Sequence, residues 1–286
     1  MTAVLGAWLA RRQRARLYLD IRDIFVDTIK DVLPRKATWA IKPLFSALEK
    51  FAITQADKVN LVSAGFAPYF AARYPTQQFS YFTNGIDEEF LAAAPAIPYE
   101  PLQSEPERPI SVLYAGNLGE GQGLHAIVPE LARRMGPKVR FRIIGDGGRR
   151  RALQSALVAA NTENVELVSP MNRMDLLEAY LSADVLFLHL NDHEAFKKVL
   201  PSKLFEYAAL GKPVWAGVGG YAAQFVRTEI SNSAVFDPCD VHSAVSAFAS
   251  LRLHTQPRSE FLAKYARSNI SRDMAADILS VANTHA

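Results

Sequence analysis

The sequence contains very little cysteine and no long apolar run. Cys239 is the single cysteine among 286 residues, which excludes an internal disulfide framework and any zinc site built on cysteines. No apolar stretch approaches the roughly 18–20 residues that a membrane-spanning helix requires. We therefore expect a protein of the reducing cytoplasm.

Strong charge of either sign is also absent. The 32 basic and 29 acidic residues leave a net charge of +3, which is too small to predict a nucleic-acid partner. The basic cluster near the start follows the apolar stretch MTAVLGAWLA, the reverse of the order in a secretory signal. Two interpretations of this segment remain open: Trp8 and Leu9 contact an anionic membrane surface, which would make the protein peripheral at a membrane, or the segment is an exposed helix end. The cluster consists of Arg11, Arg12, Arg14 and Arg16.

Several common site motifs are missing. The sequence has no G-x-G-x-x-G dinucleotide fingerprint with its acidic partner, no Walker A loop and no serine nucleophile elbow. His125, His193 and His242 show no metal-ligand spacing. We therefore expect neither a metal nor a cofactor, and we rank an NAD-dependent enzyme last.

What the sequence does contain is a regular alternation of strands and helices. Strands are predicted at 110–114, 138–144, 164–168, 184–189, 213–216 and 234–236, with helices between them. This pattern predicts a parallel, doubly wound α/β sheet covered on both faces. Before it, about three strands and helices near 3–14 and 36–55 predict only part of a similar unit, and 257–283 is predicted to be helical. The fold class is thus α/β, with one complete and one partial Rossmann-like domain.

A proline-rich connector separates these two parts. Residues 91–109 hold five prolines and show no clear period, which is typical of a surface loop or domain boundary. We therefore predict a partial N-terminal domain at 1–90, a complete C-terminal domain at 91–258, and terminal helices at 259–286 that pack back towards the first part.

One stretch, 196–214, combines several signals of an anion site. Pro201 is predicted in the first turn of a helix 202–210, with Ser202 and Lys203 beside the free backbone N–H groups. Glu206 follows Lys203 by three positions on the same side, and Gly211 ends the helix. Phosphates at the helix start and ribose hydroxyls at Glu206 would suit a sugar nucleotide, but an ordinary amphipathic helix fits the pattern equally well.

Two glycine-rich loops strengthen the first interpretation. Gly116 to Gly123 follows the first strand of the complete domain, and Gly145 to Gly148 follows the second, leading to Arg149. Consecutive parallel strands end at the same edge of a sheet, where such folds bind ligands. We predict that both loops and the start of helix 202–210 converge there.

These segments together resemble family 4 of the retaining glycosyltransferases, in the branch that acts on lipopolysaccharide O-antigen, colanic acid or capsule. The resemblance rests on Tyr114 to Leu124, Ile144 to Gly147 and Pro201 to Pro213, with Asp20 to Asp23 and Asn84 to Asp87 in the expected order. It implies a GT-B fold and a nucleotide sugar, UDP-linked in this family branch, that is transferred to a lipid-linked or saccharide acceptor.

The resemblance also implies roles for individual residues. Lys203 and Glu206 would be catalytic, with Glu206 matching the second glutamate of the family's Glu-x7-Glu motif. On the acceptor side it implies Arg22, Asp23 and Asn84. The donor would be bound by Gly116, Asn117, Gly119, Gln122, Gly145, Gly147, Arg149, Lys198, Ser202, Lys203 and Glu206.

The sequence departs from this family at two positions and at its start. Lys198 stands where the family has its first glutamate, and Gln122 stands where a lysine is frequent. The expected glycine-rich first strand and about a hundred further residues would precede residue 1 in the family. We therefore expect either that the chain is a fragment or that a partner subunit or a homodimer supplies the missing part of the acceptor side. The alternative is a non-catalytic nucleotide-binding or assembly subunit, or an inactive truncated transferase.

Overall fold

The computed structural model describes residues 2–24, 35–96 and 108–283, and for 35–41 the backbone alone. Two separate parallel sheets, one of three strands and one of six, organise these residues. None of the helices in the described ranges has the length and apolar character that crossing a bilayer requires. The α/β class predicted from the alternating pattern is confirmed.

The first sheet has three short strands and packs against three helices. Its strands pair in the order β1-β2-β3 and are all parallel. The strands are β1 (Tyr18–Ile21), β2 (Lys58–Leu61) and β3 (Phe79–Ser80). The helices of this part are α1 (Thr2–Gln13), α2 (Arg35–Gln55) and α3 (Ala67–Arg73). Val59, Leu61, Phe66 and Phe70 form the centre of its core, each at most 1% exposed.

The second sheet is doubly wound in the order β6-β5-β4-β7-β8-β9. Its strands are β4 (Ile110–Ala115), β5 (Val139–Ile144), β6 (Val165–Val168), β7 (Val185–His189), β8 (Val214–Gly217) and β9 (Ser233–Phe236). After a short helix α4 (Glu88–Ala92), its helices are α5 (Leu124–Met135), α6 (Arg150–Ala159), α7 (Arg173–Ser182), α8 (Lys203–Ala209), α9 (Gly220–Glu229) and α10 (Val241–Phe248).

Both faces of this sheet are buried. Along β7, Leu186 and Leu188 belong to one apolar cluster, whereas Val185 and Phe187 belong to another on the opposite face. Successive side chains of a strand point to opposite faces, so a strand covered on both sides must be apolar throughout. The chain reverses its strand order between β4 and β7, and ligands of such sheets bind at the carboxyl ends of strands near that reversal.

The last two helices bring the chain back to the first sheet. They are α11 (Ser259–Tyr265) and α12 (Arg267–Asn283). On α12, Asp277 accepts a hydrogen bond of 2.9 Å from the Tyr18 hydroxyl and also pairs with Lys58. The end of the described chain is therefore fastened to β1 and β2.

Most predicted elements are confirmed, with small changes at their ends. β3 stops at Ser80, and beyond it the Asn60 side chain is hydrogen-bonded to the backbone of Phe82. α10 ends at Phe248, and the Asn232 side chain accepts a hydrogen bond from the Arg252 N–H. Most of the connector 91–109 lies outside the described residues.

The helix predicted at 202–210 also starts later than predicted. It spans Lys203–Ala209, so Pro201 precedes it and Ser202 is its N-cap residue, without a capping side-chain hydrogen bond. Gly211 has a φ of +68°, which is the left-handed conformation expected of a glycine that ends a helix.

Candidate functional site

The two glycine-rich loops meet at the carboxyl edge of the six-stranded sheet. Gly116 directly follows β4 and Gly145 directly follows β5, with φ values of +146° and +144°. A Cβ on Gly145 would lie 1.9 Å from the Gly116 carbonyl oxygen, so only glycine fits there. The predicted convergence of the two loops on one edge is therefore present in the structure.

Lys203 lies against the first of these loops. A Cβ on Gly116 would lie 2.2 Å from both Cε and Nζ of Lys203, which means that the ammonium group occupies the space that glycine leaves. Burial lowers the pKa of this ammonium group, and the nearby Glu206 carboxylate opposes that effect. A half-buried cation against a glycine-rich loop is suited to binding an anion.

Glu206 sits one helical turn from Lys203 and is also half-buried. Burial raises the pKa of its carboxyl group, whereas the positive charges of Lys203 and Arg173 lower it. The hydroxyl of Tyr180 is hydrogen-bonded to this carboxyl group, and the Tyr180 ring packs edge-on against Tyr207 at a centroid distance of 5.3 Å. The contact with Tyr180 restrains the Glu206 carboxylate, which can then accept hydrogen bonds from ligand hydroxyls.

A pocket of about 300 Å³ opens beside the loops. Ile144, Met171 and Leu176 give it apolar walls, and the glycine loops contribute backbone. Its full lining is Gly116, Asn117, Ile144, Gly145, Asp146, Pro170, Met171 and Leu176. A flat ring with polar edges, such as a nucleobase, matches a pocket with apolar walls and a few polar groups.

Two residues predicted to bind the donor bind the loops themselves. The amide oxygen of Gln122 accepts hydrogen bonds from the Gly119 N–H at 3.2 Å and from Asn117 Nδ2 at 3.0 Å. Arg149 forms an ion pair with Glu120. Both side chains therefore stabilise the first glycine-rich loop, because the folded loop places a hydrogen-bond or ion-pair partner beside each of them.

Gly147 and Asn117 pack the two loops tightly together. A Cβ on Gly147 would lie 2.5 Å from Asn117 Oδ1, and the φ of Gly147 is +155°. The neighbouring Arg150 donates a hydrogen bond of 3.0 Å to the Gly145 carbonyl. The second loop is thus fixed from both of its ends.

Lys198 contacts the N-terminal part of the molecule. Its ammonium group lies 5.5 Å from the ring centroid of Tyr69, and its carbonyl accepts a hydrogen bond of 2.6 Å from Ser63 Oγ. Ser63 caps the short 3-10 turn that follows it, and its hydroxyl also accepts a hydrogen bond from the Gly65 N–H. The segment that carries Lys198 therefore joins the two sheets.

The structure brings together two of the three residues predicted on the acceptor side. Arg22 Nη1 lies 3.5 Å from Asn84 Oδ1, while its Nε donates to Asp20 at 2.9 Å. Asp23 is separate from them and lines a different cavity of 160 Å³ with residues of α1 and α2. Burial raises the pKa of the Asp23 carboxyl group.

His189 holds the loop that runs from Gly116 to Gly123, and the sequence did not predict this role. Its Nδ1–H donates to the Gln122 carbonyl at 2.7 Å, and its Nε2 accepts from the Cys239 N–H at 2.9 Å. Burial lowers the pKa of His189 to about 4, so the ring is neutral at pH 7. A single histidine at the end of an apolar strand has no spacing pattern that could have revealed this role.

No described group of three or more His, Cys, Asp or Glu side chains is arranged to hold a metal ion.

Comparison with known proteins gives a consistent result. The profile of the family described as glycosyl transferases group 1 matches residues 100–269. WcaI of Escherichia coli (strain K12), whose name assigns it to colanic acid biosynthesis as a glycosyl transferase, is 25% identical over 209 residues. That alignment covers 71% of this chain and 51% of WcaI, so the chain spans about half the length of this relative.

Solved structures show the same fold at low sequence identity. Sucrose-phosphate synthase from Thermosynechococcus elongatus superposes with a TM-score of 0.74 at 16% identity, covering 97% of this chain and 72% of that one. The Anabaena protein Alr3699/HepE, solved with UDP and glucose, gives a TM-score of 0.67 at 15% identity, covering 97% and 75%. The architecture is therefore that of GT-B proteins.

Proposed function

We propose, since the chain belongs to the family of glycosyl transferases group 1, that its glycine-loop edge binds the nucleotide-sugar donor of a glycosyltransferase. The observation that carries the proposal is the Lys203 ammonium group seated against Gly116, with the Glu206 carboxyl group one turn away. The complex of Alr3699/HepE with UDP and glucose supports a UDP-linked sugar. The name of WcaI supports a role in surface polysaccharide synthesis, with a saccharide or lipid-linked acceptor.

The nucleotide part of the donor has matching partners in this site. The diphosphate would lie beside Lys203 at the loop that begins with Gly116, and the ribose hydroxyls would donate to Glu206. The uracil ring would enter the pocket beside Gly145.

The reaction we propose is a transfer with retention of the anomeric configuration. The acceptor hydroxyl oxygen bonds to the anomeric carbon while the bond from that carbon to the diphosphate oxygen breaks. The electron pair leaves with the diphosphate, and the hydroxyl proton passes to the departing phosphate oxygen. Lys203 would stabilise the charge that develops on this leaving group, the type of fixed electrostatic contribution that lowers such barriers most.

The acceptor side has fewer assigned residues. Arg22 and Asn84 are the two that the structure brings together, and we propose that they face the acceptor. We propose that a partner subunit or a second copy of the chain supplies the remaining contacts. A nucleotide-sugar substrate and a single cysteine agree with activity in the reducing cytoplasm.

A second candidate function is a nucleotide-binding subunit without transferase activity. It is favoured by Lys198, which stands where the family has its first glutamate. The Lys198 ammonium group lies over the Tyr69 ring. Released UDP in the presence of a UDP-sugar and acceptor would exclude this candidate.

The donor site can be tested by calorimetry and thermal shift with UDP, GDP and ADP on the intact chain. UDP at a hundredfold excess over its Kd should stabilise the folded protein by about 2.7 kcal/mol, because it binds the folded state alone. Glu206→Ala and Lys203→Met should each weaken UDP binding about tenfold to a hundredfold, the usual cost of losing a hydrogen bond to a charged group.

Exposed residues of the same type provide matched controls. Glu260→Ala, at the start of α11, and Lys264→Met, which removes an ion pair with Glu229, should leave UDP binding unchanged. Equal UDP binding by wild type, Glu206→Ala and Lys203→Met would contradict the proposed site.

A further inference from the structure

Two buried tyrosines lie between the Glu206 carboxyl group and the end of β4. Tyr207 is 0% exposed and Tyr180 1%, and their rings meet edge-on at a centroid distance of 5.3 Å. Tyr180 belongs to α7, and Tyr207 belongs to α8, the helix that carries Glu206. A hydroxyl group this deep in a core requires hydrogen-bond partners, because burial without them costs free energy.

The two hydroxyl groups form a chain of hydrogen bonds. The backbone N–H of Ala115, the last residue of β4, donates to the Tyr207 hydroxyl at 3.4 Å. The Tyr207 hydroxyl is hydrogen-bonded to that of Tyr180, which is in turn hydrogen-bonded to the Glu206 carboxyl group. The direction is fixed at both ends, because a backbone N–H can only donate and a carboxylate can only accept. Each tyrosine oxygen therefore accepts one hydrogen bond and donates the next.

We propose that Tyr180 and Tyr207 are positioning residues, which hold the Glu206 carboxylate ionised and in a fixed orientation for the ribose of the donor. This role rests on the proposed function, because it takes Glu206 as the acceptor of the ribose hydroxyls. The chain of hydrogen bonds also connects Glu206 to the residue directly before Gly116, so the ribose and diphosphate ends of the site share one support. Tyrosine hydroxyls suit this role because they donate to a carboxylate without bringing a further charge into the core.

Charged groups also act on Glu206, and the tyrosine contribution adds to theirs. Burial raises the pKa of the carboxyl group most strongly, and Asp87, which precedes α4, raises it further. The positive charges of Lys203 on α8 and of Arg173 on α7 lower this pKa, as does the hydrogen bond from Tyr180. Without that hydrogen bond, the carboxyl group should therefore hold its proton to a higher pH.

The experiment is an NMR titration of the Glu206 carboxyl carbon in the ligand-free intact chain, with Glu206→Gln to assign the signal. Tyr180→Phe keeps the ring and removes the hydroxyl. It should raise the proton affinity of the Glu206 carboxyl group about tenfold, the usual effect of losing one hydrogen bond to a charged group. Tyr207→Phe removes the other link of the chain and should shift the titration in the same direction by less.

Calorimetry with UDP measures the consequence for the donor site. A protonated carboxyl group is a poorer acceptor for ribose hydroxyls, so UDP binding should weaken as the pH falls through the Glu206 titration. In Tyr180→Phe this weakening should begin at a higher pH than in wild type. A loss of stability alone would lower binding without moving its pH profile in step with the carboxyl titration.

Tyr74→Phe is the matched control. Tyr74 is buried, and its hydroxyl donates to the Glu49 carboxylate at 3.0 Å in the other part of the molecule. The variant therefore loses the same kind of hydrogen bond, and it should leave the Glu206 titration and UDP binding unchanged. Its melting temperature measures the purely structural cost of such a change.

Two outcomes would overturn the inference. One is a Glu206 titration that neither Tyr180→Phe nor Tyr207→Phe moves from its wild-type position. The other is an equal effect of Tyr180→Phe and Tyr74→Phe on the titration and on UDP binding. Because the titration needs no ligand, it tests the chain of hydrogen bonds whether or not UDP binds. An absence of UDP binding by the wild type would instead contradict the proposed function, so the two failures are distinguishable.

Discussion

The two sheets of this protein are held together in different ways. The six-stranded sheet has an apolar cluster on each face, and its central strand β7 is buried along its whole length. The three-stranded sheet has strands of four, four and two residues and a single core cluster. Short strands form few ladder hydrogen bonds, so the smaller sheet requires other contacts.

Polar side chains provide those contacts in the smaller sheet. Asn60, only 1% exposed, donates to Asp20 at 2.8 Å and exchanges two hydrogen bonds with the backbone of Phe82. Asp57 accepts hydrogen bonds from Arg16 and from the backbone N–H of Leu17. Backbone packing therefore limits substitutions in the larger sheet, whereas individual polar contacts limit them in the smaller one.

The largest effect is expected from Gly145→Ala in the larger sheet. Its φ of +144° and the 1.9 Å approach of the new Cβ to the Gly116 oxygen require the two loops to separate. We expect a loss of about 3 kcal/mol or more in the free energy of unfolding, together with loss of UDP binding. Urea unfolding and calorimetry measure the two quantities.

Gly148→Ala is the matched control for this change. It lies in the same loop, and a Cβ there would meet no atom within 4 Å. Stability close to that of wild type is expected. If Gly145→Ala and Gly148→Ala unfold at the same urea concentration, the close packing of the two loops does not limit substitution.

His189 should make the stability of the larger sheet depend on pH. Its pKa in the folded protein is lowered to about 4 from an ordinary value of 6.5, so the unfolded chain binds a proton more readily than the folded one. This contribution is fully present above pH 6.5 and is lost as the pH falls towards 4, by about 3 kcal/mol in total. Urea unfolding at a series of pH values measures the loss.

His189→Gln should remove most of the pH dependence in this window while lowering stability at pH 7. The matched control is His242→Gln, because His242 lies outside the sheet core at the start of α10. A slope unchanged by His189→Gln would show that another group binds the proton.

The smallest effect is expected where α12 meets the smaller sheet. Burial alone would raise the pKa of Asp277, but its hydrogen bonds with Lys58 and Tyr18 bring the pKa below the ordinary value. Asp277→Asn should therefore cost about 1–2 kcal/mol, mainly from the weakened contact with Lys58. Asp273→Asn on the exposed side of the same helix should cost almost nothing, as is usual for surface ion pairs.

Limited proteolysis will show which part of the protein Asp277→Asn destabilises. Cleavage within the first sheet should become faster in Asp277→Asn and remain slow in Asp273→Asn. Equal rates in the two variants would mean that α12 contributes little to holding the smaller sheet.

The sequence predicted the elements of both sheets because hydrophobic period and turn residues are local signals. The alternation after Ile110 gave the strands of the larger sheet, and consecutive strand ends predicted that the loops at Gly116 and Gly145 meet. The role of Gln122 could not be obtained in this way. Its amide partner is chosen by the fold of the loop, which no residue spacing encodes.

His189 and Asp277 show the same limit over longer distances. His189 meets Cys239, and Asp277 meets Tyr18, across 50 and 259 positions of the chain. The α/β class, the order of the elements and the positions of the glycine-containing turns were all predictable from the sequence. The tertiary structure alone decided which polar groups pair and which are buried, because pairing and burial depend on segments that are distant in sequence and adjacent only after folding.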